Sequence, residues 1–507
     1  MSSSVLGIVA AIIIYLGGML YIGYRFSRKT ETVSEFYLGG RKLGPLAVAM
    51  SAEASDMSSW LLMGLPGVAY LTGIADAAWT AIGLAVGTYL NWLIVAKRLR
   101  LYTAKTESIT VPQFFSDRYQ DSKRILTLVA ALIIVVFFVP YTASGFAACG
   151  KLFSTLFGTD YHIAMIISAV VIIAYTAMGG FMAVSITDLI QSIVMTIALV
   201  VIMLFGIHNA GGMGAVMENA KSLAGYLSLT EIHDSLSNTG APYSALTILS
   251  TTAWGLGYFG MPHILLRFMA IEDENKLAVS RRVGTIWVVI SMSVSIFIGI
   301  IGNAVSAKGA IPVLAGSDSE TVIVRFASLL AENGFFAALI AGVVLAGILA
   351  STMSTADSQL LTASSAVSKD LMQDVLHIDM DARKTLRASR ITLILVALVS
   401  VVFAWDSTSS VFKIVSFAWA GFGASFGPVV LLALFWKRSN RFGALAGMIS
   451  GGAMIFIWKF LVRPLGGALD IYELLPAFLI ALAVNVAVSL LTPAPDKAIQ
   501  RTFDSIG

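Results

Sequence analysis

Long apolar runs dominate the chain, and short polar segments separate them. A helix that spans a bilayer needs roughly 20 apolar residues at a rise of about 1.5 Å each. Runs of that length cover residues 5–26, 44–72, 77–96, 125–150, 161–178, 183–207, 243–268, 283–306, 334–365, 388–404, 408–436, 442–461 and 472–492. The pattern predicts an all-α integral membrane protein with about 13 transmembrane helices.

Composition agrees with this hydropathy pattern. Hydrophobic residues make up 57% of the 507 residues and charged residues 12%, with a mean hydropathy of +0.85. Soluble proteins carry roughly 25% charged residues, so most of this surface is expected to face lipid. The net charge is +4, but the basic residues lie in short loops between apolar runs. This distribution is typical of membrane topology and predicts no nucleic-acid partner.

The distribution of basic residues predicts the orientation. If the N-terminus lies outside and the spans alternate, most of the 33 lysines and arginines fall in inside loops, among them Arg28, Lys29 and Arg267. The positive-inside rule favours this arrangement, which requires an odd number of spans. We therefore expect a multi-pass protein of the bacterial cytoplasmic (inner) membrane, with its N-terminus outside and its C-terminus inside.

Two sequence motifs mimic nucleotide-binding loops. The glycine-rich run that ends at Lys151 is followed by Leu152, where a phosphate loop needs Ser or Thr. Residues 255–260 match the letters of a dinucleotide fingerprint, but they lie within a predicted span and no strand precedes them. The five histidines are scattered along the chain. The sequence predicts neither an enzyme nor a bound cofactor, and it leaves an ion gradient as the source of energy for any pumping.

Two of the predicted spans are interrupted. Span 44–72 carries a crowd of polar residues at its middle, and span 243–268 contains three glycines and a proline between Trp254 and Pro262. When span 5–26 is set aside, these two spans begin successive groups of five spans. Because five is an odd number, the second group crosses the membrane with the opposite topology. Interrupted helices at matching positions of inverted repeats indicate the central site of a transporter. Glycine and proline also mark kinks and close packing in membrane helices, which is the structural alternative.

A hydroxyl cluster in span 334–365 suggests a cation site. Ser351, Ser354 and Thr355 lie within about one helical turn, so their oxygens can converge on one face. Sodium is a hard cation, and hard cations prefer oxygen ligands. Alternatively, such hydroxyls bond back to their own helix or hold neighbouring helices together.

Several acidic residues lie inside the predicted spans. Asp56 and Asp357 are functional candidates because a carboxylate in the bilayer is costly. Glu53 precedes Asp56 by one turn, so the two like charges compete and one of them is expected to be protonated or paired. Asp188 lies near the inside end of its span, where it is either a helix-start residue or a ligand of a second cation.

Several long stretches resemble the sodium/solute symporter family and, within it, the sodium/proline symporters. They are LGGRKLGP at 38–45, SDMSSWLLMGLPG at 55–67, GLGYFGMPHI at 255–264 and AWAGFGASFGP at 418–428. The resemblance covers nearly the whole chain and implies a five-plus-five inverted-repeat transporter fold. It implies one transmembrane domain, residues 1–492, and a short cytoplasmic tail, residues 493–507. Within the domain the parts are an extra N-terminal helix at 5–26, repeats at 44–207 and 243–436, and two C-terminal helices within 442–492.

The resemblance also implies a function and a set of site residues. The implied function is sodium-coupled uptake of L-proline by alternating access, and the oligomeric state stays unknown. The implied sodium ligands are the carbonyls of Ala54, Met57 and Ser351 and the hydroxyls of Ser354 and Thr355. The implied substrate residues are Ser58, Trp60, Tyr141, Trp254, Tyr258 and Pro262. Coupling would involve Arg41 and Asp56.

Two residues depart from the family pattern. Glu53 and Asp357 stand where some members carry small or uncharged residues, and they could alter the ion count or pH dependence. Asp357 is therefore a candidate for coupling or gating. The alternatives to proline symport are a symporter of the same fold for another amino acid, a carboxylate or a sugar, a channel-like or sensory protein, and a non-transport membrane subunit.

Overall fold

The computed structural model describes residues 3–27, 32–235 and 237–506, and helices account for most of them. Arg28 and Lys29, used for the predicted orientation, lie outside these ranges. The α-helices are α1 Ser3–Ser27, α2 Val33–Leu38, α3 Pro45–Asp56, α4 Leu65–Thr72, α5 Ile74–Leu90, α6 Ala96–Lys105, α7 Val111–Arg118, α8 Ile125–Phe157, α9 Tyr161–Ala210, α10 Met213–Ser222, α11 Ala245–Thr252, α12 Pro262–Ala270, α13 Leu277–Ala307, α14 Val322–Ala331, α15 Phe335–Ser365, α16 Ala382–Phe403, α17 Val411–Phe435, α18 Arg441–Ile457, α19 Leu474–Leu491 and α20 Lys497–Asp504.

Ten helical stretches of the described chain are long and apolar enough to cross a membrane. They are Ser4–Phe26, Ile74–Lys105, Ile125–Phe157, Gly180–Ala210, Glu274–Ala307, Phe335–Val375, Ala382–Phe403, Val411–Phe435, Arg441–Leu465 and Leu474–Leu491. Each overlaps one of the predicted spans. The chain is therefore a multi-pass, mostly helical membrane protein, as the hydropathy pattern predicts.

The three remaining predicted spans, 44–72, 161–178 and 243–268, coincide with short or interrupted helices. Span 161–178 is the first part of α9, a helix that kinks at Gly180. Gly180 has a φ of 65° and a ψ of 179°, a backbone conformation that residues with a side chain rarely adopt.

The first interruption separates α3 from α4. Helix α3 ends at Asp56, and Met57 turns away with φ −76° and ψ 66°. A π-helical turn, Trp60–Gly64, then leads into α4. The hydroxyl of Ser58 accepts a hydrogen bond of 3.4 Å from the backbone N–H of Trp60, which illustrates how polar side chains replace helical bonds here.

The second interruption separates α11 from α12. A 3₁₀ segment, Ala253–Gly260, is followed by Met261 in an extended conformation, and α12 begins at Pro262. A Cβ atom on Gly257 would lie 1.9 Å from Nε1 of Trp419, so only glycine fits there. The glycines that resemble a dinucleotide fingerprint therefore allow close packing of the backbone.

Helices α3 and α15 lie beside each other at the centre of the helical core. Helix α15 packs against α1, α8 and α9, while α3 packs against α9, α12 and α13. The 3₁₀ segment between α11 and α12 packs against α5 and α17. Both interruptions are therefore enclosed by protein, which is the condition for irregular backbone at membrane depth.

The remaining regular elements lie between these helices and at the C-terminal end. Strands β1 Glu231–Asp234 and β2 Thr239–Pro242 form an antiparallel hairpin between α10 and α11. The short 3₁₀ segments are Gly39–Arg41, Glu274–Lys276, Gly316–Thr321, Arg463–Leu465 and Gly467–Leu469, and further π-helical turns are Asn91–Val95, Ala366–Val375 and Trp458–Val462. In the predicted tail, the α20 carboxylate of Asp504 pairs with Lys437 at 2.5 Å.

Candidate functional site

A hydrogen bond between α15 and the broken end of α3 marks the centre of the site. The hydroxyl of Ser354 donates to the backbone carbonyl of Ala54 at 2.8 Å and lies 3.2 Å from the carbonyl of Ser351. All three residues are fully buried. The carbonyl of Ala54 is available because α3 ends two residues later.

Two further hydroxyls of α15 lie near this junction, and they bond back to their own helix. Thr355 donates to the carbonyl of Ser351 at 3.1 Å, and Ser351 donates to the carbonyl of Ile348 at 2.8 Å. The structure thus brings Ala54, Ser351, Ser354 and Thr355 together. Met57 lies at the end of α3 with non-helical torsion angles. Hard oxygen atoms from two helices form this cluster, a donor chemistry that suits a hard cation.

Asp56 is surrounded by aromatic side chains that carry hydrogen-bond donors. The hydroxyl of Tyr258 donates to Oδ2 of its carboxylate. Its backbone carbonyl accepts from Nε1 of Trp60 at 3.0 Å and from the hydroxyl of Tyr141 at 3.5 Å. Among the described residues, Oδ1 of Asp56 has no hydrogen-bond partner. The predicted substrate residues Trp60, Tyr141 and Tyr258 therefore meet at the first break, next to Ser58.

Trp254 connects this aromatic cluster to a cavity. Its ring lies 6.2 Å from that of Trp60 and 5.2 Å from that of Tyr472, measured between centroids. Nε1 of Trp419 donates to the Trp254 carbonyl at 2.8 Å, which fixes the 3₁₀ segment against α17. Aromatic residues from both broken helices thus face one another.

The cavity has a volume of about 1090 Å³ and reaches from buried Trp254 to exposed residues such as Asp406 and Lys413. Its wall includes Gly64, Pro140 and Tyr472. Such a volume exceeds the space that a small solute needs. At its buried end the cavity reaches the aromatic cluster through Trp254, whose ring adjoins that of Trp60.

A buried arginine holds a separate polar network beside α3 and α15. Arg267 of α12 is 1% exposed, and its Nη2 lies 3.2 Å from Oδ2 of Asp188 and 2.5 Å from Oγ of Ser358. Its Nε donates to Oγ of Ser51 at 3.1 Å, and that hydroxyl donates to Asp188 at 2.6 Å. Ser358 also donates to Oδ1 of Asp357 at 3.3 Å.

The structure corrects the expected position of Arg267 and gives Asp188 a partner. The sequence pattern assigns Arg267 to an inside loop, but α12 extends through it to Ala270 and buries it. Asp188 lies within α9, so the helix-start alternative is wrong. An ionisable residue five positions after Pro262 in an apolar run is the signal that could have identified Arg267.

Glu53 and Asp56 face different neighbours despite lying one turn apart on α3. Oε1 of Glu53 accepts hydrogen bonds from the hydroxyl of Thr88 at 2.9 Å and from Nε1 of Trp92 at 2.8 Å. Asp56 instead accepts from Tyr258. The two carboxylates therefore do not share hydrogen-bond donors.

Two predicted residues lie apart from these clusters. Arg41 adopts a left-handed φ of 56° and donates to the carbonyls of Met269, Thr103 and Ser108 at 2.7, 2.8 and 2.8 Å. Burial lowers the pKa of the Arg41 guanidinium to about 10, and the charge of Arg100 acts in the same direction. Arg41 thus joins α6 and α12 at their ends. Pro262 is the first residue of α12, beyond the broken segment.

Two interrupted helices, enclosed by long apolar helices and lined with buried oxygens and aromatic rings, define a multi-pass membrane transporter. The chain belongs to the sodium:solute symporter family, whose model matches residues 36–451. This match confirms the family to which the sequence stretches point.

The similar proteins cover nearly the full chain. The osmoregulated proline transporter OpuE of Bacillus subtilis (strain 168) is 38% identical over 98% of this chain and 97% of its own length. The high-affinity proline transporter PutP of the same organism is 40% identical, over 96% of this chain and 98% of its own. A sodium/proline symporter of Haemophilus influenzae is 41% identical, over 97% and 96% of the two chains.

Solved transporters share the fold. A substrate-bound, outward-open Na+-coupled sialic acid symporter matches with a TM-score of 0.78 at 18% identity, over 97% of this chain and 99% of its own. Mhp1, a nucleobase-cation-symport-1 family transporter in a closed conformation, matches with a TM-score of 0.55 at 14% identity, over 92% and 98% of the two chains. At these identities the likeness establishes the fold.

Proposed function

We propose that this chain is a symporter that couples the uptake of L-proline to the entry of sodium, and that it acts as a transporter rather than an enzyme. The relatives named as proline transporters are 38–41% identical over nearly the full chain. Its predicted place is the bacterial cytoplasmic membrane.

The contact between Ser354 and Ala54 carries the proposal. It joins the broken end of α3 to α15 through oxygen atoms at 2.8 Å. Our proposed sodium ligands are the carbonyls of Ala54, Met57 and Ser351 and the hydroxyls of Ser354 and Thr355. When the ion is bound, the Ser354 hydroxyl turns its lone pairs to the cation, and the ion takes over the role of the direct hydrogen bond.

The proposed proline site adjoins Asp56. Its residues are Ser58, Trp60, Tyr141, Trp254, Tyr258 and Pro262. The apolar ring of proline suits the two tryptophans, whose centroids lie 6.2 Å apart. Its ammonium suits an aromatic face or a carbonyl, and its carboxylate suits the exposed N-terminus of a broken helix. Arg41, Asp56 and Asp357 serve coupling or gating.

The proposed topology has 13 spans in a five-plus-five inverted repeat. Ten long apolar stretches account for most of them, and two interrupted helices and the first part of α9 supply the other three. The N-terminus lies outside and the C-terminus inside, because most basic residues then fall on the inner side.

Alternating access follows from the two broken helices. Sodium enters through the cavity and fixes the end of α3 against α15, which completes the adjoining proline site. The repeats then rock, and both solutes leave on the inside. The coupling is reciprocal, so sodium raises proline affinity by the factor by which proline raises sodium affinity.

Uptake of labelled proline into proteoliposomes tests this function. An inward sodium gradient is expected to drive accumulation, while a potassium or proton gradient of the same size is not. Excess unlabelled proline should abolish the accumulation of label, whereas other amino acids, carboxylates and sugars should leave it unchanged. Absence of sodium stimulation would refute the coupling, and competition by another solute but not by proline would refute the substrate.

A further inference from the structure

Arg267 occupies a position where oxygen atoms converge from three helices. Asp188 comes from α9, Ser51 from α3, and Asp357 and Ser358 from α15. Each of these residues is at most 1% exposed. The Arg267 guanidinium donates directly to Asp188, Ser51 and Ser358. Without that side chain, the same carboxylate and hydroxyl oxygens would form a donor set for a hard cation.

The network contains two carboxylates and one guanidinium. Among the described residues, Oδ1 of Asp188 and Oδ2 of Asp357 have no hydrogen-bond partner, although both are buried. Arg267 thus carries the positive charge of this network, in direct contact with Asp188 of α9 and linked through the hydroxyl of Ser358 to Asp357 of α15. A guanidinium stays protonated in proteins, so this charge is permanent.

The network lies about one helical turn from the proposed sodium site. On α3, Ser51 precedes Ala54 by three residues, and on α15, Ser358 follows Ser354 by four. Ser51 contacts Arg267, which contacts Ser358, while Ala54 contacts Ser354 directly. Because one turn rises about 5.4 Å, two neighbouring cation positions lie along the same pair of helices.

We propose that Arg267 is a tethered cation that fills a second cation site, so that a single sodium ion accompanies each solute. This inference rests on the sodium coupling proposed above. A covalently held guanidinium supplies the positive charge that holds α9, α12 and α15 together, but it cannot be released to the inside. It therefore contributes to the fold and contributes nothing to the ion stoichiometry.

Removal of the tethered charge tests the proposal. In Arg267→Met, the vacated oxygens are expected to bind a second sodium ion, and the Hill coefficient for sodium in proline uptake should rise from about 1 to about 2. The double variant Arg267→Met/Asp357→Asn removes one positive and one negative charge. Its net charge matches the parent, which favours folding, and Asp188 remains to bind the second ion.

Three controls separate charge from structure. Arg267→Lys keeps a tethered cation, so its sodium dependence should keep the slope of the parent. Arg118→Met removes another fully buried arginine, which donates from Nε to the carbonyl of Ala433 and lies outside this network. Its slope should also stay unchanged. Addition of Asp188→Asn to Arg267→Met should abolish the second sodium ion.

A binding measurement covers variants that no longer transport. The melting temperature of the detergent-purified protein, followed across sodium concentrations, should rise in one phase for the parent and in two for Arg267→Met, because bound ions stabilise the folded state. Potassium at the same ionic strength controls for salt effects.

The outcomes distinguish this inference from the proposed function. Lack of sodium-driven uptake by the parent refutes the function. The role of Arg267 alone is refuted if the parent has a sodium Hill coefficient of about 1 and the variants show the same coefficient and a single melting phase. A sodium Hill coefficient of about 2 in the parent would also refute the tethered cation, and it would leave the proposed function standing.

Discussion

The hydroxyl of Ser354 donates a hydrogen bond of 2.8 Å to the carbonyl of Ala54, and 300 residues of chain separate the two. The donor belongs to an intact helix, α15, and the acceptor to the last turn of α3 before its break. Their contact joins the two proposed repeats at a point where both partners are fully buried.

Ser354→Ala is expected to raise the sodium concentration for half-maximal uptake by about tenfold, because an oxygen ligand to a charged group contributes about 1.5–3 kcal/mol. Thr355→Ala should act in the same direction. Ser293→Ala is the matched control, since that serine lies exposed on α13 and bonds only the carbonyl of Val289 among the contacts described. Unchanged sodium activation in both site variants would remove Ser354 and Thr355 from the ligand set.

Tyr258→Phe is expected to lower proline uptake at least about tenfold, because it leaves the buried Asp56 carboxylate without its donor, at a cost of about 1–3 kcal/mol or more. Initial uptake rates should be compared at equal amounts of inserted protein. Tyr21→Phe is the control, because Tyr21 is 64% exposed on α1. In a double-mutant cycle, Tyr258→Phe and Asp56→Asn should be strongly non-additive. Additive losses would mean that the two groups act independently.

Gly257→Ala is expected to lower the melting temperature sharply and to abolish uptake. Its new Cβ would lie 1.9 Å from Nε1 of Trp419, whose ring is fixed by a hydrogen bond to the Trp254 carbonyl. Gly17→Ala adds the same methyl group on α1, where nothing lies within 4 Å, and should be tolerated. Similar melting temperatures for the two variants would contradict the close packing of the 3₁₀ segment.

Lys151 and Glu320 form a buried ion pair at 2.8 Å beside the cavity, with side chains 7% and 4% exposed. Glu320 also accepts from the hydroxyl of Ser410 at 2.7 Å and from the backbone N–H of Val411 and Phe412 at 3.1 Å each, so it caps α17. Glu320→Leu leaves a buried ammonium unpaired and should cost about 3–5 kcal/mol of stability.

A thermal unfolding series tests this ion pair. The double variant Lys151→Met/Glu320→Leu should be less destabilised than Glu320→Leu, because it leaves no unpaired charge. Lys437→Met, which breaks the exposed pair with Asp504, should change the melting temperature little. If Glu320→Leu behaves like Lys437→Met, the buried pair does not stabilise the N-terminal end of α17.

Hydropathy was sufficient to predict the long helices, but it could not predict the backbone geometry of the two interruptions. Ten predicted spans coincide with continuous stretches, because about 20 consecutive apolar residues leave a membrane chain few alternatives to a helix. The polar residues between Met50 and Trp60 and the glycines before Pro262 indicated the two breaks. The π-helical turn at Trp60–Gly64 and the 3₁₀ geometry of Ala253–Gly260 were not predicted, since both depend on contacts with α17 and the second also depends on contacts with α5.

The sequence by itself determined the membrane class of the chain, the two interrupted helices and the hydroxyl run around Ser354, because apolar length and local composition carry that information. Tertiary structure alone decided which oxygens meet across the chain. It turned Glu53 toward Trp92 and Asp56 toward Tyr258, and it buried Arg267 against Asp188. Such pairings depend on how distant helices pack. The periodicity of one helix shows which of its own faces is buried, but it does not show which residues of another helix that face contacts.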